Sequence, residues 1–204
     1  LAGAGVPGVN PDLLGDLAPQ AADLPGRPPT FCPGCSHRGL FVVLKKLRVF
    51  VSGDIGCYTM GALPPYSAVH CSTCMGASIS MAHGMSKVLE PPAADAKPDL
   101  RKKVVGVIGD STFFHSGITS LMNVAYNGGK TLSIIVDNST TAMTGGQENP
   151  GTGKTLLGEP SAVVDIPALC AALGIKRVTT IDPYDMAETE RVLREELAVD
   201  EASV

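Results

Sequence analysis

No cluster of lysine or arginine occurs in the 204 residues, whose formal charge is −4. A phosphate-tracking basic surface is therefore missing, which argues against a nucleic-acid partner. No apolar run is long enough to cross a bilayer, and the start has neither the basic region nor the apolar core of a secretory leader. A soluble, cytoplasmic protein with no membrane partner is expected. The length does not allow two large domains, yet 44% hydrophobic residues suffice for one core without disulfide staples. Residues 1–29 are rich in glycine and proline, from Gly3 to Pro29, and read as a linker; residues 30–204 read as the domain. Opening on a linker suggests a piece of a longer subunit or one product of a split gene.

What is present is an alternation of short apolar runs and amphipathic segments. Lys103 to Ile108 suits a buried parallel strand and stops at Gly109-Asp110-Ser111. Ile118, Leu121, Met122 and Ala125 then recur at helical spacing, and Asn127-Gly128-Gly129 closes that helix. Leu132 to Val136 predicts a second buried strand, running into Asp137-Asn138-Ser139-Thr140. Around this unit the pattern predicts a helix over Gly39 to Leu47 and a strand over Val49 to Ser52. It also predicts a helix opening at Cys74, with Met75, Ile79, Ala82 and Leu89 on one face and Pro91-Pro92 at its end. Further on come a helix over Ile166 to Leu173 and a strand over Arg177 to Ile181. A last helix has Asp182 as N-cap, Pro183 at its first position, and Met186, Glu190, Leu193 and Leu197 along one side. The order implies an α/β fold, doubly wound, with a mostly parallel sheet and helices on both faces.

Open parallel sheets bind ligands beyond the carboxyl ends of their strands. One crossover helix joins the two central strands, so Asp110 and Asn138 reach the same rim. One carboxylate and one amide oxygen are too few for calcium. They suit magnesium, which completes an octahedron with a backbone carbonyl and the oxygens of a bound phosphate. Thr140 supplies the natural carbonyl. The pattern describes a metal-bridged diphosphate site.

Two Cys-x-x-Cys pairs stand apart from it. Cys32-Pro33-Gly34-Cys35 could ligate a cluster, ligate zinc or form a redox disulfide. Cys71-Ser72-Thr73-Cys74 lies too far from the first pair for a common zinc ribbon. Gly76, Ala77 and Ser78, at a helix start, suit an anion or ring meeting backbone amides. The run Gly53 to Gly61, with Gly56 and Cys57, is either a glycine-rich turn or a cradle of amides for an anionic group. His115 lies on the rim beyond Asp110 as a candidate proton donor or carboxylate contact, and His37 within the cysteine motif is a candidate for orienting substrate. His70 and His83 read as structural. Gly151-Thr152-Gly153-Lys154-Thr155 fails as a phosphate loop because position 148 is Glu, and reads as part of a covering loop.

Gly109-Asp110-Ser111 followed by Asp137-Asn138 resembles the thiamine diphosphate motif, with Ser111 for the usual second glycine and Asp137 for the first of two asparagines. Asp137 to Gln147 is similar to the corresponding stretch of the 2-oxoacid:ferredoxin oxidoreductase family. With Cys32 to Gly39 and Gly53 to Tyr58, it looks most like the thiamine-binding domain of the indolepyruvate ferredoxin oxidoreductase alpha subunits, over Arg27 to Glu196. The resemblance implies thiamine diphosphate and Mg2+ as cofactors. Asp110, Asn138 and Thr140 would hold the metal, and Gly56, Cys57, Gly76, Gly109 and Ser111 would lie against the cofactor. It also implies a possible [4Fe-4S] cluster on Cys32, Cys35 and Cys57, for which only Cys170, in an apolar run, remains as a fourth ligand. The implied reaction is oxidative decarboxylation of a 2-oxoacid, of arylpyruvate or indolepyruvate type, to an acyl-coenzyme A. Implied partners are a pyrimidine-binding domain bearing the activating glutamate, a second oxidoreductase subunit, ferredoxin, coenzyme A and the 2-oxoacid. The alternatives are a non-oxidative thiamine synthase or decarboxylase domain, a zinc-stabilised binding module and a non-catalytic assembly subunit.

Overall fold

The computed structural model describes residues 26, 28–89, 100 and 103–204. The reading of 1–29 as a linker and the Pro91-Pro92 helix stop lie almost wholly outside them. Phe31–Val204 forms one compact unit.

Its helices and strands follow in the order α1 (His37–Leu47), β1 (Phe50–Gly53), α2 (Ala77–Leu89), β2 (Val104–Gly109), α3 (Ile118–Tyr126), β3 (Leu132–Val136), α4 (Ile166–Ala172) and α5 (Met186–Ala198). The sheet order is β1-β2-β3, and both pairings are parallel. β2 is central and buried along its whole length. Its side chains alternate between faces, as a strand's must. Val105 and Val107 pack into a core with Phe41 and Leu44 of α1 and Leu193 and Leu197 of α5. Ile108 faces the opposite core, with Ile79 of α2, Leu121 and Val124 of α3 and Cys170 of α4. Helices therefore cover both faces, and the doubly wound α/β expectation holds. Gly106 lets α2 lie on β2, since a Cβ there would stand 3.2 Å from the Ile79 Cα.

Several local expectations are corrected. α2 begins at Ala77, because the chain turns at Cys74–Gly76 first. Ile79 and Ala82 face inward, whereas Met75 and Leu89 are exposed. In α3 it is Val124, not Met122, that joins Leu121 in the core. α5 starts at Met186 with Asp185 as its cap, accepting the Glu188 N–H at 2.9 Å. Asp182 accepts the Tyr184 N–H instead, so Asp182-Pro183 makes a turn. The inward side of α5 is Thr189, Val192, Leu193, Glu196 and Leu197, while Met186 is exposed and Glu190 pairs with Lys46 and Arg194. The expected strand from Arg177 to Ile181 is reduced to one bridge, Arg177 to Ser203.

Between β2 and α3 the backbone makes one α-turn (Asp110–Thr112) and then a π-helical segment (Phe113–Gly117). Such π turns are frequent at functional sites. Here the π segment follows directly on the α-turn that begins with Asp110.

Candidate cofactor site

The parallel register pairs Gly109 with Val136, so the residues after them, Asp110 and Asp137, stand side by side at the carboxyl end of the sheet. A cavity of ≈ 110 Å³ opens there. His37, Gly56, Cys57, Gly109, Asp110, Ser111, Asn138 and Thr140 all line it. Two neighbouring strands thus deliver the acid and the amide to one rim, as the strand-end motifs predict.

Asp110 is only 3% exposed. Burial raises its carboxyl above the usual carboxylate range, and the neighbouring Asp137 pushes the same way. The Asn149 side chain and the backbone amides of Ser111 and Thr140 pull it back. Asn149 Nδ2 donates to Asp110 Oδ2 at 2.9 Å, and its Oδ1 accepts the Gly151 N–H at 2.8 Å, which fixes the amide's orientation. No lysine or arginine lines the cavity among the described residues. A desolvated carboxylate without a cationic neighbour is suited to a divalent ion, and Asn138 and Thr140 line the same cavity. Thr141 Oγ1 donates to Ser111 Oγ at 2.7 Å, tying the two strand-end loops together.

Tyr58 lines the cavity too. Its hydroxyl donates to the Ile55 carbonyl at 2.8 Å and lies 3.2 Å from Thr112 Oγ1; burial pushes its pKa up to about 12. A Cβ on Gly56 or on Gly109 would fall 2.5 Å and 2.6 Å from the Tyr58 ring, so both positions require glycine for close approach. The Gly56 N–H donates to Thr59 Oγ1 at 3.1 Å.

His37 is buried, and desolvation lowers its pKa, so the ring is neutral near pH 7. Its Nδ1 lies 3.3 Å from Cys35 Sγ. His115 is exposed, pairs with Ser116 Oγ at 3.0 Å and does not line the cavity. Gly76 is also outside the lining, and its N–H is held by Asp54 Oδ1 at 2.8 Å. The Cys57 thiol is pushed up by burial first and then by Cys35 and Cys32, so the three sulfurs share one neighbourhood. Among the described residues, no three His, Cys, Asp or Glu side chains are gathered as a metal site, and the six cysteines are all unpaired.

Sequence reasoning missed Asp54, Tyr58 and Asn149. Asp54 is fully buried and accepts the N–H groups of Ile55 (2.8 Å), Gly76 (2.8 Å) and Ser78 (3.0 Å), which holds the start of α2 beside the cavity. A carboxylate directly after a strand was its available signal. Asn149 had only a turn-like Asn-Pro-Gly setting.

Residues 54–204 match the family model described as "Thiamine pyrophosphate enzyme, C-terminal TPP binding domain". The chain belongs to this thiamine diphosphate-binding family. The chain is 42% identical over 187 residues to "Indolepyruvate oxidoreductase subunit IorA" of Pyrococcus horikoshii, covering 89% of this chain and 29% of that protein. It is 38% identical over 197 residues to the subunit of the same name from Archaeoglobus fulgidus, covering 94% and 30%. The chain therefore spans less than a third of the length of these relatives. Among solved structures, a 2-oxoglutarate:ferredoxin oxidoreductase from Magnetococcus marinus, with 2-oxoglutarate, coenzyme A and succinyl-CoA bound, superposes with a TM-score of 0.68. The identity there is 17%, over 88% of this chain and 63% of that one. Benzoylformate decarboxylase from Polynucleobacter necessarius gives 0.56 at 15% identity, over 88% of this chain and 34% of that one. These likenesses establish the fold of the thiamine diphosphate-binding domain.

Proposed function

We propose that this domain holds thiamine diphosphate through Mg2+ in an oxidoreductase of the indolepyruvate ferredoxin type, which converts a 2-oxoacid to an acyl-coenzyme A. The observation that carries the cofactor reading is the buried Asp110 carboxylate, which lines one cavity with Asn138 and Thr140 but with no lysine or arginine among the described residues. The oxidative chemistry rests on the relatives named as indolepyruvate oxidoreductase subunits.

When bound, the cofactor supplies the carbon nucleophile and electron sink that cleavage beside a ketone needs. The chain's own residues do the rest. Asp110, Asn138 and the Thr140 carbonyl would hold the metal, with Asn149 keeping Asp110 aimed. Backbone at Gly56, Gly109 and Ser111 would lie against the diphosphate, with Gly56 and Gly109 packed on the Tyr58 ring. His37, a neutral donor or acceptor lining the cavity, would orient the substrate. His115 has a lesser part at the outer rim, and Gly76 acts through the α2 turn.

A [4Fe-4S] cluster on Cys32, Cys35 and Cys57 belongs to the same proposal and rests on the family resemblance alone, since these side chains are not gathered as a metal site among the described residues. Iron content and absorbance near 400 nm after anaerobic purification test it. Residues 30–204 are then the diphosphate-type domain and 1–29 its linker. A pyrimidine-binding domain with the activating glutamate, a second subunit and ferredoxin complete the enzyme. No helix of the described residues is long and apolar enough to cross a membrane, and unpaired cysteines suit a reducing cytoplasm.

Co-expression with a pyrimidine-binding domain tests the reading. The pair is expected to reduce ferredoxin in a reaction that requires both arylpyruvate and coenzyme A, and the chain alone is expected to give no turnover. Full activity in an Asp110→Ala pair would contradict it.

A further inference from the structure

The His37 ring uses one of its two nitrogens. Nδ1 lies 3.3 Å from Cys35 Sγ, and Nε2 has no partner among the described residues. Nε2 is not sealed in either: the buried atoms left without a bond lie elsewhere, Ser78 Oγ and His83 Nδ1 among them. The residue as a whole is only 5% exposed, so the free nitrogen opens onto a cavity rather than onto bulk water. His37 borders a second cavity beside β3 as well, but Tyr58, which it meets edge-on at 6.2 Å, belongs to the cofactor side. Phe31, tilted at 6.1 Å, also packs against the ring and helps to fix its plane.

The partner sulfur is as firmly placed. Cys35 N–H donates to the Cys32 carbonyl and Arg38 N–H to the Cys35 carbonyl, each at 3.2 Å. The Tyr184 hydroxyl donates to the Gly34 carbonyl at 2.7 Å, and the Arg38 guanidinium to the Phe31 carbonyl, so the turn is tied down on both sides of Cys35. A neutral imidazole carries one ring proton, and the bond made at one nitrogen decides which nitrogen holds it. With the proton on Nδ1, an N–H would point at sulfur, a weak acceptor, and a bare lone pair would face a cavity that already holds the Asp110 carboxylate. With the proton on Nε2, the thiol donates to a good nitrogen acceptor, and the cavity receives an N–H. Both comparisons favour the second arrangement.

We propose that Cys35 is a positioning residue: its thiol donates to His37 Nδ1, which keeps the ring proton on Nε2 and makes His37 a hydrogen-bond donor to the cavity. The inference rests on the reading in which His37 orients the substrate, and adds that it recognises an oxygen of the 2-oxoacid, on the carboxylate or the ketone. Such a donor is needed there. No lysine or arginine lines the cavity among the described residues, and Tyr58 and Thr141 commit their hydroxyl protons to the Ile55 carbonyl and to Ser111 Oγ. The assignment is for the iron-free chain; ligation to iron would take the thiol proton and move the ring proton to Nδ1.

The test uses the whole chain, iron-free and reduced, with its histidines labelled with nitrogen-15. Two-bond proton–nitrogen spectra near neutral pH distinguish a protonated ring nitrogen from a bare one, and His37→Gln identifies the signals. The proton is expected on Nε2 in the wild type and in Cys35→Ser, whose hydroxyl still donates, whereas Cys35→Ala is expected to show both tautomers in exchange. A proton on Nδ1 in the wild type would overturn the proposal, as would a Cys35→Ala spectrum identical to the wild type's. The spectrum needs neither cofactor nor substrate, so its failure is separate from a failure of the proposed reaction. A second arm uses the co-expressed pair with phenylpyruvate as the probe. Cys35→Ser and Cys35→Ala both lose the sulfur, so a difference between them reports the donor alone. Cys35→Ala is expected to have a KM at least twofold above that of Cys35→Ser, at similar kcat. Equal KM values would overturn the contact between Nε2–H and substrate.

Discussion

Asn149 donates to Asp110 across 39 positions of sequence, at 2.9 Å and out of contact with bulk water. The bond aims the carboxylate and partly offsets the cost of keeping it charged. Asn149→Leu is expected to raise the Asp110 pKa further, because it removes one of the groups that lower it while burial and Asp137 still raise it. It should also cost about 1–3 kcal/mol in stability, the usual penalty for a buried acceptor stripped of its partner. Carbon-detected NMR titration of Asp110 with and without Asn149 measures the first effect, and denaturant unfolding the second.

Asp54 offers a prediction about the scaffold rather than the chemistry. It accepts three N–H groups while fully buried, so Asp54→Ala leaves all three without a partner. A loss of ~3 kcal/mol or more is expected. In a chain of this length that lowers the melting temperature on the order of 6–12 °C. Thermal unfolding by circular dichroism checks the figure, and exchange at Gly76 and Ser78 should accelerate most.

The pH dependence of stability should carry the mark of His37. Burial lowers its pKa in the folded state, so the unfolded chain takes up the proton first. The stabilising contribution is complete above about pH 6.5 and is lost as the pH falls from there through the lowered folded value. His83 is shifted the same way by burial and by Lys87, and adds to the slope. His37→Gln should flatten the stability curve below pH 6.5 by one histidine's share, with His83→Gln as the independent control.

Glu196 acts in the opposite pH range. Arg177 grips it with two bonds, Nε to Oε2 at 2.9 Å and Nη2 to Oε1 at 2.8 Å, which lowers the carboxyl below its ordinary value. The stability it provides is present above about pH 4.3 and disappears as the pH falls through the lowered folded value. Glu196→Gln is expected to melt below the wild type at pH 7, with the two curves converging in acid.

How much of this was legible beforehand follows from range along the chain. β2 and β3 were readable because buried parallel strands are short apolar runs, and the rim because Asp110 and Asn138 follow such runs directly. Asp182 resembled an N-cap as closely as Asp185 does, and only the fold decides which carboxylate reaches the helix. Residues 177–181 have strand composition, but a strand is defined by its neighbour, and local pattern says nothing about that. Asp54 and Asn149 make their decisive bonds 22 and 39 positions away, beyond any periodicity. Both support the site without resembling a ligand.

The central claim is that Asp110 and Asn138 grip one divalent ion, and through it the diphosphate of the coenzyme. Isothermal titration of the chain with thiamine diphosphate, with and without Mg2+, on the wild type and on Asp110→Ala, tests it most directly. Metal-dependent binding that the substitution weakens at least tenfold is the result predicted. Affinity indifferent to both the metal and the substitution would contradict it.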